Sequence, residues 1–269
     1  MSSSECYTPT PSRSIPTTSA RNARSTLPLS DLPLHRWITR CQPCHVNEPS
    51  RRRLLYARAM EGRSESWRVI ADSYDQMGLG FSTWNSARPT EVRRWFRDEA
   101  LARLGRGSTV LELGCGPGTD AEALSADGRY IGVDLSQVQL SIARHRVPSA
   151  TFLVGDFTTM TFRPSSFDGV VAFYAFDHVA QDDVGPTFAS IFTWLRRGGW
   201  LMTSLQTLEA EDRVEEWLDV PMFFAGLSVP SYERLLRQTG FVLELSEFRE
   251  EVDPIYGLGG HHWVIARRP

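Results

Sequence analysis

The stretch from Val110 to Leu124, VLELGCGPGTDAEAL, constrains the chain more than any other: an apolar run stops in glycines at 114, 116 and 118 and restarts as a helical pattern. It reads as strand, tight turn, helix. The glycines let the backbone take positive φ and let a ligand approach the main chain where any Cβ would collide. The helix behind them points its first free N–H groups into that gap. A dinucleotide-binding turn carries its third small residue five places after the first glycine, and Thr119 stands there instead. Glu112, two residues before Gly114, puts a carboxylate at the strand tip. Such a charge repels a pyrophosphate and attracts a cationic ligand. A glycine-rich turn without a ligand is the plain alternative.

Two further strand ends carry acids. Tyr130 to Leu135 reads as a buried strand whose Asp134 stands 20 residues after Gly114. A carboxylate there can accept hydrogen bonds from both hydroxyls of a ribose; otherwise Asp134 caps the helix begun by Ser136. Ala150 to Gly155 reads as a third strand, followed by Asp156, able to accept a hydrogen bond, and Phe157, able to cover a flat ring. An ordinary strand-end turn is the alternative. ELGCGPG, YIGVDLS and VGDF, in that order, resemble the first three ligand-binding motifs of the class I S-adenosylmethionine-dependent methyltransferases of small-molecule type. The resemblance implies S-adenosylmethionine as cofactor, held by Glu112, Gly114, Cys115, Gly116, Gly118, Asp134, Leu135, Asp156, Phe157 and Phe173. It further implies that Tyr74, in the pair Tyr74-Asp75, closes over the cofactor from a lid helix, and that Arg88 aims at the cofactor carboxylate. A plain core tyrosine and a solvated arginine are the alternatives.

The alternation of strand and helix patterns predicts an α/β fold: a doubly wound, mostly parallel seven-stranded sheet with helices on both faces and its last strand antiparallel. Phe167 to Tyr174, FDGVVAFY, is apolar enough for a central parallel strand. Trp67, Ile70, Ala71 and Tyr74 mark a helix ended by Gly78 and Gly80. A second helix over 90–104 is opened by Thr90, with Val92, Trp95, Phe96, Ala100, Leu101 and Leu104 on one face. Residues 66–104 then form a helical lid. Val184 to Leu195 reads as a helix, Trp200 to Gln206 as a strand, and 207–229 as a cap insert. Ser231 to Gln238 reads as a helix and Phe241 to Phe248 as a strand. His262 to Arg267 reads as a reversed edge strand that begins, with His261, on the active-site side.

Charge divides the chain. Residues 1–59 hold nine arginines against three acids, and 60–269 hold 20 against 29. The first segment, rich in Ser, Thr, Pro and Arg, is expected to be a disordered tail from an over-extended start, with the methyltransferase domain at 60–269; its Arg/Ser bias also resembles a transit peptide. Its CQPCH motif, Cys41 to His45, matches a haem-attachment pattern without a visible export signal, and it offers zinc only three ligands, so no metal is expected. The acidic body argues against nucleic acid. No apolar run approaches a membrane span, and cysteines at 6, 41, 44 and 115 offer no disulfide framework, so the expected compartment is cytoplasmic. Oligomeric state leaves no sequence signal.

The loop Ala175 to Val179 follows the central strand, and in an open α/β sheet chemistry lies beyond the carboxyl ends of the strands. It contains Asp177-His178. Histidine accepts a proton near neutral pH, so His178 is the candidate base, with a structural hydrogen bonder as the alternative. The loop lacks the Asn/Asp-Pro-Pro-aromatic motif of amino-methylating DNA and protein enzymes. Tyr174, Trp217, Phe223 and Phe224 are candidate walls of an apolar acceptor pocket, or else cap packing. The expected function is methyl transfer from S-adenosylmethionine to an O, N or S nucleophile of a small-molecule acceptor. An NAD(P)-dependent oxidoreductase, disfavoured by Thr119 and Glu112, and a catalytically inactive cofactor-binding regulatory protein are the rival readings.

Overall fold

The computed structural model describes residues 66–87, 91–207, 212–253 and 257–269. The tail with its CQPCH motif, and Arg88, lie outside these residues. Three helices come first: α1 (Ser66–Met77), α2 (Leu79–Ala87) and α3 (Glu91–Leu104). An α/β alternation follows: β1 (Thr109–Leu113), α4 (Ala121–Ser125), β2 (Arg129–Asp134), α5 (Gln137–Arg146), β3 (Thr151–Val154) and β4 (Phe167–Ala172). A 3-10 turn (Phe176–His178) leads into α6 (Gln181–Trp194) and β5 (Leu195–Leu205). The chain closes with the hairpin β6 (Arg213–Trp217) and β7 (Val220–Phe224), then α7 (Val229–Thr239), β8 (Val242–Asp253) and β9 (Gly257–Arg267).

The sheet has seven strands in the order β3-β2-β1-β4-β5-β9-β8. Strands β1 to β5 pair in parallel, and β9 pairs antiparallel with both β5 and β8. This is the doubly wound architecture with a reversed last strand. The reversed strand is not an edge, however. Trp263, Val264, Ile265 and Ala266 of β9 are all fully buried, and consecutive apolar residues can be covered on both faces only inside a sheet. Strand β8, with Glu244, Glu247, Arg249 and Glu250, takes the edge, where charge discourages pairing with a further strand.

Alternation along the parallel strands feeds two cores. Val170 joins Leu111, Phe188 and Leu236 on one face, and its neighbour Val171 joins Phe96, Leu140 and Trp263 on the other. The strand ends and the connections after them are thereby held at one rim of the sheet.

The helical and insert regions depart from the sequence reading in detail. Helix α1 ends at Gly78, whose φ is +51°, but the chain resumes as α2 straight through Gly80. One helical glycine costs about 1 kcal/mol, and α2 offsets it by bringing Phe81 within 4.8 Å of Tyr74 and Trp84 within 5.1 Å of Trp217. In α3 the buried stripe is Arg93, Phe96 and Ala100; Trp95 is 42% exposed and Leu101 36%. Phe96 sets that rotation by stacking on Trp263 at 4.4 Å. Helix α6 begins at Gln181 rather than Val184, with Asp182 and Asp183 in a first turn where the helix dipole favours acids. The cap insert is a hairpin with Met222 fully buried, tied to α1 by a hydrogen bond from Ser73 Oγ to the Pro221 carbonyl.

Candidate functional site

A cavity of about 850 Å³ runs along the sheet rim from the glycine turn to the β6–β7 hairpin. Its floor begins at Gly114, where φ is +65° and a Cβ would lie 2.6 Å from the Ala175 Cβ. The turn after β1 and the loop after β4 thus approach too closely for any side chain at 114. Gly116, φ +52°, has open space beside its Cα except for the Phe81 ring edge, and its N–H donates to Asp134 Oδ2 at 2.7 Å. The Ser136 N–H donates to Asp134 Oδ1 at 2.8 Å. Each carboxylate oxygen keeps a second lone pair, so Asp134 can still accept from a diol. Burial pushes the Asp134 carboxyl up to about 6, against the pull of these backbone donors.

Asp156 accepts from the Thr158 N–H (2.9 Å) and hydroxyl (2.7 Å) through Oδ1, leaving Oδ2 without a donor among the described residues. Phe157 is buried beside it, 6.0 Å from Phe176. The lid is docked over this half of the cavity. Asp75 Oδ1 accepts from Ser136 Oγ (2.5 Å) and the Val138 N–H (3.1 Å), while Gln139 Nε2 donates to the carbonyls of Tyr74 and Gly78. The Cβ-free turn, the Asp134 carboxylate with lone pairs to spare, and Asp156 beside the buried Phe157 fit S-adenosylmethionine.

At the far half, the candidate base has two partners. His178 Nδ1 lies 2.7 Å from the Phe223 carbonyl, and Nε2 lies 2.9 Å from the Tyr74 hydroxyl. A carbonyl can only accept, so Nδ1 carries the proton and Nε2 accepts from Tyr74. Burial lowers the His178 pKa, opposed by Asp177 and the Phe223 carbonyl. The ring is therefore a neutral imidazole with its lone pair on the tyrosine. Trp217 and Phe224 close this end, their rings 5.9 Å apart.

Of the residues expected at the cofactor, Tyr74, Gly114, Cys115, Gly116, Asp134, Leu135, Asp156, Phe157 and Phe173 line the cavity, as do Tyr174, His178, Trp217 and Phe224. Three expected members stand back from it. Gly118 packs on α5, where a Cβ would meet Ala143 at 3.1 Å. The Phe223 side chain is buried with Ile70, Ala180 and Met222, and only its carbonyl serves the site. Glu112 alternates with Leu111 and Leu113, points into the layer under α3, and accepts a hydrogen bond from Tyr130 Oη. Burial and the nearby Asp120 push its carboxyl above the ordinary range, with Tyr130 and Arg93 opposing, so it is not the simple anionic attractor implied by its place at the strand tip.

Sequence reasoning missed Arg93. Its Nε donates to Asp120 Oδ2 at 2.6 Å, with the two side chains 10% and 2% exposed, and it lines the cavity next to Gly114 and Tyr174. No other described residue accepts from its two terminal nitrogens. The available signal was helical spacing: Arg93 falls three and seven residues before the buried Phe96 and Ala100. Phe81 and Trp84 were missed with α2 itself.

Residues 110–199 match the family model described as a methyltransferase domain. A demethylmenaquinone methyltransferase of Symbiobacterium thermophilum is 30% identical over 141 residues, covering 48% of this chain and 53% of that protein. An 18S rRNA (guanine-N(7))-methyltransferase of Mus musculus is 29% identical over 153 residues, covering 51% and 54%. The chain thus spans about half the length of these curated relatives. The crystal structure of an S-adenosylmethionine-dependent methyltransferase from Mesorhizobium loti superposes with a TM-score of 0.53 at 20% identity, over 65% of this chain and 96% of that one, and shows the shared fold. The two relatives' names give chemically different acceptors, so kinship leaves the acceptor open.

Proposed function

We propose that the chain, whose residues 110–199 match the methyltransferase-domain model, acts as a class I S-adenosylmethionine-dependent methyltransferase and methylates a hydroxyl of a small, planar, largely apolar acceptor. The observation that carries this reading is the Tyr74–His178 pair, which lines the same cavity as the glycine turn and Asp134. A thiolate or a free amine needs no proton acceptor; a hydroxyl does. The aromatic wall of Tyr74, Trp217 and Phe224 suits a flat ring, in keeping with a relative named for demethylmenaquinone. The acidic body, 20 arginines against 29 acids over 60–269, disfavours RNA.

When bound, S-adenosylmethionine supplies an electrophilic methyl group on a sulfonium that leaves as a neutral thioether. Arg93 holds its carboxylate, Asp134 its ribose hydroxyls, and Asp156 with Phe157 its adenine. The lid excludes water, and such positioning contributes about 7–11 kcal/mol. Tyr74 Oη takes the acceptor proton as its own proton passes to His178 Nε2, and the resulting imidazolium keeps its Nδ1–H on the Phe223 carbonyl.

The test is methyl-labelled cofactor offered with a panel of phenolic and quinol-like acceptors. Label should appear on acceptor oxygen; label confined to amines, thiols or added RNA would overturn the acceptor class. Asp134→Ala should weaken S-adenosylhomocysteine binding by about 1.5–3 kcal/mol, since hydrogen bonds to a charged group are lost. A dissociation constant within about twofold of wild type, ~0.4 kcal/mol, would remove Asp134 from the ribose site. Because the Asp134 carboxyl gains its proton as pH falls through about 6, wild-type affinity should weaken below that pH. Asp134→Ala should abolish this dependence.

A further inference from the structure

The mechanism above leaves a buried charged cluster behind the loop that follows β4 unused. His261 of β9 places Nε2 3.0 Å from Asp177 Oδ2 and Nδ1 3.6 Å from Glu251 Oε2, and all three side chains are about nine-tenths buried. Nδ1 lies within ion-pair range of Glu251 but beyond hydrogen-bond reach; a neutral imidazole donating to Asp177 presents no charge to Glu251, whereas an imidazolium attracts both carboxylates. Glu251 in turn accepts from Tyr174 Oη, at 3.0 and 3.1 Å to its two oxygens, and from Trp263 Nε1 at 3.1 Å.

Tyr174 is where this cluster meets the cavity. Its φ is +58°, a conformation uncommon for a bulky residue that persists only when its surroundings over-determine it. Its N–H donates to Ser204 Oγ at 2.7 Å, its ring lies edge-on to His261 at 4.8 Å, and the Arg93 guanidinium carbon sits 5.6 Å from the ring centroid.

We propose that His261 is a positioning residue: a buried imidazolium that ties Asp177 of the acceptor-side loop to Glu251 of β8 and, through Glu251, fixes Tyr174 against Arg93, the arginine facing the cofactor carboxylate. The proposal rests on the cofactor assignment made above for Arg93.

The groups facing His261 are Asp177 from the 3-10 turn, Glu251 from β8 and Tyr174 from the loop after β4, with Arg93 of α3 beyond the tyrosine. Arg249, opposite His261 in the β8–β9 register, is engaged with Glu247 and Trp95. Neighbouring His262 turns to Ser246. Burial pulls the His261 pKa down, but Asp177 and then Glu251 outweigh it and carry the value up to about 9. The folded-state value lies above the unfolded one, so the bridge is complete below about 6.5 and is lost as pH rises through about 9.

The experiment follows the His261 ring resonance by NMR from pH 6 to 10 in the full chain, identified by its absence in His261→Gln. In parallel, S-adenosylhomocysteine affinity is measured by calorimetry for both proteins over the same range. The ring should titrate with a midpoint above about 8, and Glu251→Gln should lower that midpoint by about one unit or more. The wild-type advantage in affinity over His261→Gln should shrink at least about threefold across that same midpoint; taking the ratio cancels titration of the ligand's own amine. A midpoint below about 8, or no response to Glu251→Gln, overturns the bridge. A high midpoint with a pH-independent affinity ratio overturns the positioning role. Absence of any S-adenosylhomocysteine binding to wild type would instead sink the methyl-transfer reading and, with it, the positioning role, while the NMR titration still decides the bridge.

Discussion

His178→Gln should lower the rate at saturating cofactor at least about 100-fold while S-adenosylhomocysteine affinity barely moves. Glutamine can still accept from Tyr74 and donate to the Phe223 carbonyl, so the lid contact and the hairpin contact survive. It cannot take a proton in the working pH range. Tyr74 then has nowhere to send its own proton when it removes one from the acceptor. The wild-type rate should fall on the acid side as His178 becomes charged, with a midpoint below the ordinary ~6.5 because burial disfavours the imidazolium. The variant should lose that limb. If it keeps both its rate and the limb, His178 is a structural link between α1 and β7, and catalysis is by positioning alone.

Arg93→Met should destabilise the fold by about 3–5 kcal/mol, because truncating one partner of a buried ion pair leaves the other charge unpaired. Asp120 is 2% exposed, and its remaining cationic neighbour, Arg97, approaches no nearer than 3.8 Å. Glu112 also loses the cation that opposes its protonation. Methionine fills most of the volume, so the loss is electrostatic rather than a cavity. Arg93→Met combined with Asp120→Asn should recover much of the stability in denaturant unfolding, while S-adenosylhomocysteine affinity stays lost in both. A single-variant cost under about 1 kcal/mol would show that the pair is solvated and ordinary.

The parts of the fold legible in the sequence are those written in local periodicity and in glycine chemistry. ELGCGPG announced strand, turn and helix because the close approach of residues 114 and 175 admits no Cβ. FDGVVAFY announced a strand covered on both faces. The order of the sheet beyond β5 was less accessible: whether β9 lies outside or inside β8 depends on which strand hides a continuous apolar run, and both strands continue past the segments that their patterns mark. Helix α2 was hidden because Gly78 and Gly80 together read as a stop, whereas only the first takes a left-handed conformation.

The site divides in the same way. Acids at strand tips, Asp134 and Asp156, follow from the βα pattern, and so does a histidine in the loop after β4. The partners of these groups come from distant chain segments. Tyr74 meets His178 across 104 residues, and His261 meets Asp177 across 84. No periodicity reports such pairs. Arg93 illustrates the limit most plainly: a charge in a helix's buried stripe looks like a flaw in the pattern until Asp120 is placed beside it.

One calorimetric titration of the full chain, with S-adenosylhomocysteine in one run and NAD in another, tests the central claim that the glycine turn, Asp134 and Asp156 form an S-adenosylmethionine cradle. S-adenosylhomocysteine should bind one per chain with a dissociation constant between about 1 μM and 1 mM, while NAD gives no saturable heat because Thr119 stands where a dinucleotide-binding turn needs a small residue for close packing of helix on strand. Saturable NAD binding with none for S-adenosylhomocysteine would contradict the account.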